Sequence, residues 1–288
     1  MRVFLDCLPC FLRQTLDAVR FVTNDEQIHE RVVRQVLELV NNIDAGQTPP
    51  AIGQQIHRVI RRATENVDPY RQRKDDSNEL AMRLYPQLKE RIKNSSHPLE
   101  MAVRLAIAGN VMDFGVYSTL DDAEVVKTVD RALVEGLDPA RVEEFAQAVG
   151  DAREILYLGD NAGEIVFDRL LIEELPPGKV TFAVRGAPVL NDATREDAER
   201  AGLTDLVAVI ENGSDAPGTI LEDCSEQFWQ RFDQSDLVIA KGQGNYECLS
   251  GIDKDVFFLL TVKCPVIATD LGCDVGQMIL RRGGVTSK

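Results

Sequence analysis

Apolar residues recur every three or four positions through the first half of the chain and in short unbroken runs through the second. This change of rhythm sets the expected fold. HERVVRQVLELVNNI (29–43) places Val33, Val36, Leu37 and Val40 on one helical face, and IGQQIHRVIRRAT (52–64) does the same with Ile52, Ile56, Val59 and Ile60. Asp75-Asp76-Ser77 offers a start before NELAMRLYPQLKERI, and Pro98 opens LEMAVRLAIAGNVMDF. DDAEVVKTVDRALVEG and DPARVEEFAQAVGDA, each with an acidic first turn, complete the helical run. GQTPP (46–50) and VDPYRQ (67–72) interrupt it as loops, by their Pro, Gly and Asp content.

From about residue 154 short apolar runs alternate with charged amphipathic segments. EILYL precedes IVFDRLLIEEL, KVTFAV precedes ATREDAERAG, and DLVAVI precedes EDCSEQFWQRF; DLVIA, then DVFFLLTV with PVIAT, follow. Alternation of this kind implies a mostly parallel sheet with helices on both faces. The expectation is an α/β protein: an all-helical N-terminal region over 1–150, then a three-layer α/β/α sandwich over 151–288. In such sheets ligands sit beyond the C-terminal ends of the strands.

Three of those strand ends carry polar clusters. EILYL runs into GDNAGE (159–164), KVTFAV into RGAPVLND (185–192), and DLVIA into KGQGNYE (241–247). In a parallel sheet all three emerge on one edge and converge on one crevice. Asp160, Asn161 and Asp192 are hard oxygen donors of the kind that suit Mg²⁺ or Mn²⁺. Lys241, with the glycine-rich backbone after it, has the means to cradle a phosphate. Each loop also has a plainer reading, since Asp160, Asn161 and Asn191-Asp192 are good helix caps and Gly242 and Gly244 good turn residues. A cation beside a phosphate cradle is equipment for phosphoryl chemistry and calls for no histidine.

Composition narrows the field. A net charge of −15 argues against a nucleic-acid partner and against adhesion to anionic lipid. No apolar run approaches the roughly 18 residues of a membrane span, and Asp6 and Pro9 spoil the N-terminus as a secretory signal, so a cytoplasmic location is expected. The three histidines, His29, His57 and His97, all precede residue 100 and read as helix-surface residues. Cys7-x-x-Cys10 reads either as half a metal site, completed by Cys264 and Cys273, or as thiols without a role.

GDNAGE, RGAPVLND and KGQGNYE, in this order behind a helical region, resemble the damage-control metal-dependent phosphatase family, also called acidic-residue methyltransferase-like. GNVMDFG (109–115) resembles a fourth motif of that family, and the CxxC its microbial, cysteine-bearing branch. The resemblance implies a divalent metal (Mn²⁺, Mg²⁺, Co²⁺ or Ni²⁺) on Asp160, Asn161 and Asp192, with Lys241 on the phosphate. It further implies Asn245 and Glu247 lining the site and Asn110 and Asp113 reaching in from the helical part. Arg185 and Gly242 complete the candidate substrate-binding set, and Asp160, Asp113 and Glu164 the candidate catalytic set. The expected activity is hydrolysis of a small phosphorylated metabolite, a sugar phosphate or damaged phospho-metabolite.

Two other functions fit the same loops: a non-catalytic module binding a phospho-metabolite through its metal, and carboxyl methyl transfer from S-adenosylmethionine. LGDNAGE, with Asn-Ala where glycines would lie under that cofactor, resembles the latter's first motif only faintly. ENGSDAPGTI (211–220), rich in glycine and small polar residues, reads either as a mobile specificity rim or as a passive connection.

Overall fold

Central strands of a parallel sheet are covered on both faces, which is why their sequences read as continuous apolar runs. The four residues of β1 (Ile155–Leu158) and all five of β4 (Leu237–Lys241) are buried. The structure, a computed structural model, describes residues 1–44, 46–109, 127, 129, 130, 133 and 136–284. Its sheet also holds β2 (Val180–Val184), β3 (Ala208–Glu211), β5 (Val256–Thr261) and β6 (Met278–Gly283). The order is β3-β2-β1-β4-β5-β6, with β1 to β5 parallel and β6 antiparallel to β5. The chain therefore works outward in one direction from β1 and in the other from β4. That reversal opens a crevice at the C-terminal ends of β1 and β4.

The helices in chain order are α1 (Cys7–Val22), α2 (Glu26–Asn41), α3 (Pro49–Thr64), α4 (Arg71–Lys93), α5 (Pro98–Ala108), α6 (Pro139–Asp151), α7 (Glu164–Glu174), α8 (Arg195–Arg200), α9 (Glu226–Gln234), α10 (Gly242–Leu249) and α11 (Pro265–Leu271). Strand alternation divides the core. Ile155, Tyr157, Phe182, Ile239 and Phe257 face α4 to α7, while Leu156, Leu158, Ala183, Val238 and Phe258 face α9 to α11. The three-layer sandwich is thus as expected. Helices α1 to α3 close around a cluster of their own, with Phe11, Val19, Val32, Val36, Ile52, Ile56 and Ile60 at its centre. Because α4 and α5 share the core of the sheet, a division near residue 150 does not coincide with a break in packing.

Several local expectations change. The buried stripe of α2 is Val32 and Val36, and Leu37 is 46% exposed. Helix α4 starts at Arg71, before Asp75-Asp76-Ser77, because Asp68 supplies the preceding turn by accepting from the Tyr70 N–H. Asp75 lies inside the helix instead and pairs with Arg71 and Arg200. PVIAT is not strand but the start of α11, with Pro265 at its first position. The last strand comes from MILRRG, whose two arginines interrupt the apolar pattern; Arg282 holds Asp255 at 2.6 and 2.8 Å. His57 is buried rather than on the surface, and burial, with Arg61 beside it, pushes its imidazole down to about 4.

The segment 211–220 is fastened rather than loose. Asp215 accepts from Gln54 (2.7 Å) and from both Arg58 nitrogens (3.0 and 2.5 Å), and Arg61 bonds it too. Asp223 accepts from Gln54 (2.6 Å) and Ser214 (2.5 Å). Burial works against ionisation here, yet the Arg58 and Gln54 hydrogen bonds hold the Asp215 carboxyl below the usual range. Helix α3 thereby clamps the crevice wall, and Arg61 also donates to the Pro188 carbonyl (2.8 Å) of the second loop.

The same segment presses on α10 backbone to backbone: a Cβ on Gly244 would stand 2.1 Å from the Pro217 carbonyl oxygen. Gly150, exposed in α6, has nothing within 4 Å of its would-be Cβ. Gly244→Ala is expected to cost about 1–3 kcal/mol in urea unfolding, and Gly150→Ala to add about 0.5–1 kcal/mol. Equal stability of the two variants contradicts this packing.

Candidate active site

Two loops meet first. Asn161 and Asp192 form an isolated antiparallel bridge, locked by Ala162 N–H to Asn191 O (2.8 Å) and Ala193 N–H to Asp160 O (2.7 Å). Leu190 sits just before, at φ 46°, a left-handed conformation rare for a bulky residue. These bonds fix the backbone carrying Asp160, Asn161 and Asp192 as one unit. Arg185, leaving β2, ties the carboxylates together: Nε donates to Asp192 (2.6 Å) and Nη2 to Asp160 (3.4 Å). Its Nη1 reaches Asn245 (3.3 Å) and Thr219 (3.4 Å). Burial opposes its charge, but Asp192 and Asp160 hold the guanidinium above its ordinary value.

The third loop comes from β4. Gly242, at φ 76°, begins α10, and a Cβ there would lie 1.9 Å from Asp160 Oδ2. Only glycine lets the Asp160 carboxylate rest against the start of α10. Asn245, one turn on, donates to the carbonyls of Gly159 (3.3 Å) and Lys241 (2.7 Å).

Beneath this layer lies a second. Glu164 opens α7, and its Oε2 accepts from Asn161 Nδ2 (2.9 Å), which also donates to Asp160 Oδ2 (2.9 Å). Asp168 follows one helical turn deeper. Lys241 Nζ binds Glu164 (2.6 Å), Asp168 (2.6 Å) and the Ala106 carbonyl of α5 (2.7 Å), so all three ammonium protons have protein acceptors. The structure thus sets Lys241 under the crevice, not on it, in correction of the role expected from the sequence. Burial alone would depress its ammonium, yet Asp168 and Glu164 keep it above the ordinary lysine value.

Four carboxylates, Asp160, Glu164, Asp168 and Asp192, are buried here against two cations, Arg185 and Lys241. The buried acids thus outnumber the buried bases at this place among the described residues. Asp160 registers the strain: burial first, then Glu164 and Asp192, push its carboxyl well above the usual range despite Arg185 and Lys263. Asp168 is pushed up to about 7 by burial, with Lys241 opposing.

Asp160, Asn161, Asp192, Glu164, Arg185, Gly242 and Asn245 are therefore brought together. Glu247 is not: it lies two positions beyond Asn245, on nearly the opposite face of α10. Its carboxylate takes a hydrogen bond from Gln243 (3.0 Å), and burial raises it to about 7. Asn110 and Asp113 lie outside the described residues. Cys264 and Glu247 act on both Cys7 and Cys10, whose thiols burial pushes up, but among the described residues no three His, Cys, Asp or Glu are grouped to hold a metal. Of the two readings of the CxxC, the half-site finds no completing group among the described residues.

Asp168, Tyr157, Thr219 and Asn78 went unread in the sequence. Glu164 and Asp168, one turn apart in an otherwise apolar segment, carry a usable signal: two carboxylates on one face of a buried helix need a cation. Asn78 of α4 accepts from the Gly163 N–H (2.7 Å) and donates to Asp197 (2.9 Å), but nothing local in NELAMRL marks it.

Residues 3–279 match the profile of the damage-control phosphatase ARMT1-like domain. A damage-control phosphatase of Archaeoglobus fulgidus is 35% identical over 98% of this chain and 99% of its own. One from Pyrococcus horikoshii is 36% identical over 98% of each. The crystal structure of a DUF89 family protein from Pyrococcus horikoshii superposes with a TM-score of 0.90 at 34% identity, over 98% of this chain and 99% of the other.

Lys241→Met strips the cation from two buried carboxylates. A loss of about 3–5 kcal/mol is expected at pH 8. The loss should shrink at pH 5, because acids whose folded pKa is raised stabilise the fold only below that value, where they keep their protons. Urea titrations at both pH values test this; an equal loss at each contradicts it.

Proposed function

We propose, from the premise that this chain belongs to the damage-control phosphatase family with an ARMT1-like domain, that it hydrolyses small phosphate monoesters at the β1–β4 crevice. Sugar phosphates and damaged phospho-metabolites are the substrate class. The reading includes a divalent cation, Mn²⁺, Mg²⁺, Co²⁺ or Ni²⁺, held by Asp160, Asn161 and Asp192.

One observation carries the proposal: Asp160, Asn161 and Asp192 are bridged to one another at the strand ends, with both carboxylates held by Arg185 and the start of α10 against Asp160. The donor chemistry fits as well. Two aspartates and an amide offer hard oxygens and no thiolate or imidazole. Asn161 Nδ2 now lies between oxygens of Asp160 and Glu164 (2.9 Å each), standing in for a positive charge; a half-turn of the amide presents Oδ1 instead.

When bound, the cation supplies charge to offset the phosphoryl oxygens and to make a water more acidic. The residues of the chain do the rest. Arg185 holds Asp160 and Asp192 in register, so these two carboxylates need not rearrange. Glu164, which among the described residues meets the ligand Asn161, accepts the proton of the attacking water. Lys241 fixes Glu164 in place. The first N–H groups of α10, left without partners by the helix, face the negative charge of the phosphoryl group. Asn245 orders that helix start through the Gly159 and Lys241 carbonyls.

Chelator-treated protein is expected to release phosphate from members of a phosphate-ester panel only after Mn²⁺, Co²⁺, Ni²⁺ or Mg²⁺ is restored. Asp160→Ala should abolish release while circular dichroism shows an intact fold. Arg185→Lys should weaken metal affinity about 10–100-fold. Undiminished turnover in Asp160→Ala, or turnover indifferent to the chelator, would sink the proposal. Metal-dependent binding of esters without release over hours would leave a sensing module instead.

A further inference from the structure

The 3.6-residue repeat of α7 stacks two carboxylates, and only the upper one borders the crevice. Glu164 meets Asn161; Asp168 lies one turn deeper and is wholly buried. Its Oδ1 accepts from Lys241 Nζ (2.6 Å) and from the Tyr157 hydroxyl (2.8 Å). Its Oδ2 has no hydrogen-bond partner among the described residues. A buried carboxylate oxygen without a donor is costly when charged, and it is the natural seat of a proton.

The groups facing Asp168 are few. β1 presents Tyr157, β4 presents Lys241, and α7 itself presents Glu164. α5 presents the Ala106 carbonyl to the shared ammonium. Tyr85 of α4 meets Glu173 near the far end of α7. Among the described residues, Ile165, Phe167 and Leu171 are buried along the same helix.

We propose that Asp168 is a positioning residue of the active site, acting through Lys241: its protonation decides whether the one ammonium is shared between two carboxylates or belongs to Glu164 alone. With the proton on Oδ2, Lys241 and Glu164 form a neutral pair under Asn161. With the proton released to solvent, Asp168 competes for the ammonium, and the layer beneath the crevice gains one negative charge. That charge strengthens the pull on a cation at Asp160 and Asp192 and weakens the hold on an anionic ester. Burial, partly offset by Lys241 and Tyr157, places the transition at about 7. What this does to turnover rests on the phosphatase reading above; the protonation itself does not.

The test joins an infrared titration of protonated carboxyl groups with the pH profile of Mn²⁺-dependent phosphate release. In a Glu247→Gln background, used for every variant here because it removes the other acid raised to about 7, a buried carboxylic-acid band should titrate near pH 7, with a limb of the rate profile at the same pH. Asp168→Asn should lose both. Tyr157→Phe, close in shape and expected to fold even where Asp168→Asn does not, removes a donor to the ionised form. It should move band and limb upward by about one pH unit. A merely structural role would scale the rate equally at every pH. The proposal is overturned by a band that survives Asp168→Asn, or by a Tyr157→Phe band and profile that do not move. Absence of phosphate release from every ester would fail the phosphatase reading, and the infrared titration would still decide the role of Asp168.

Discussion

Four carboxylates buried around two cations form the constraint on which the rest of the site depends. Burying an unpaired charge costs several kcal/mol, so every acid in the crevice has to be matched, protonated or completed by something bound. Lys241 and Arg185 divide the task by depth. Lys241 is sunk between Glu164 and Asp168 with its donors saturated, and it fixes the lower layer. Arg185 spans Asp160 and Asp192 and fixes the upper one. The two layers meet at Asn161, whose amide touches one acid of each.

The fold serves this cluster by holding its backbone still. The reciprocal bonds between residues 160–162 and 191–193 bind the first two loops to each other. Gly242 lets the third approach so closely that any side chain there would enter the Asp160 carboxylate. Helix α3, from the otherwise separate α1–α3 cluster, grips Asp215 with Arg58 and Arg61 and so braces the wall that carries Thr219. Thr219 in turn donates to the side-chain Oδ1 of Asn245 (2.8 Å), which closes the circle back to α10. A site braced from four sides can keep acids together that would repel one another on a loose loop.

The architecture was legible because parallel strands and their polar ends leave a strong pattern: EILYL, KVTFAV and DLVIA, each followed by a glycine-rich polar loop, place the crevice without any structure. The ligand-type residues Asp160, Asn161 and Asp192 stood out for the same reason. What escaped depends on depth and on distant partners. Lys241 at the head of a glycine run reads as a phosphate hook; only the position of α7 behind it reveals that its ammonium is already taken. Asp168 hides behind the apolar run Ile165-Val166-Phe167, and Asn78 acts on residues about a hundred positions away. MILRRG was missed because its arginines interrupt the alternation, although one of them is anchored to Asp255. The composition of segment 211–220 left a mobile rim and a passive connection equally open, because it does not show that Gly244 lets the Pro217 carbonyl come close.

The central claim of the proposed function is that Asp160, Asn161 and Asp192 hold one divalent cation. A titration of chelator-treated protein with Mn²⁺, followed by electron paramagnetic resonance of the free ion, tests it without any substrate. The account predicts one tightly bound equivalent per chain in wild type, lost in Asp192→Ala. No tight binding in wild type, or an equivalent that survives that substitution, would contradict it.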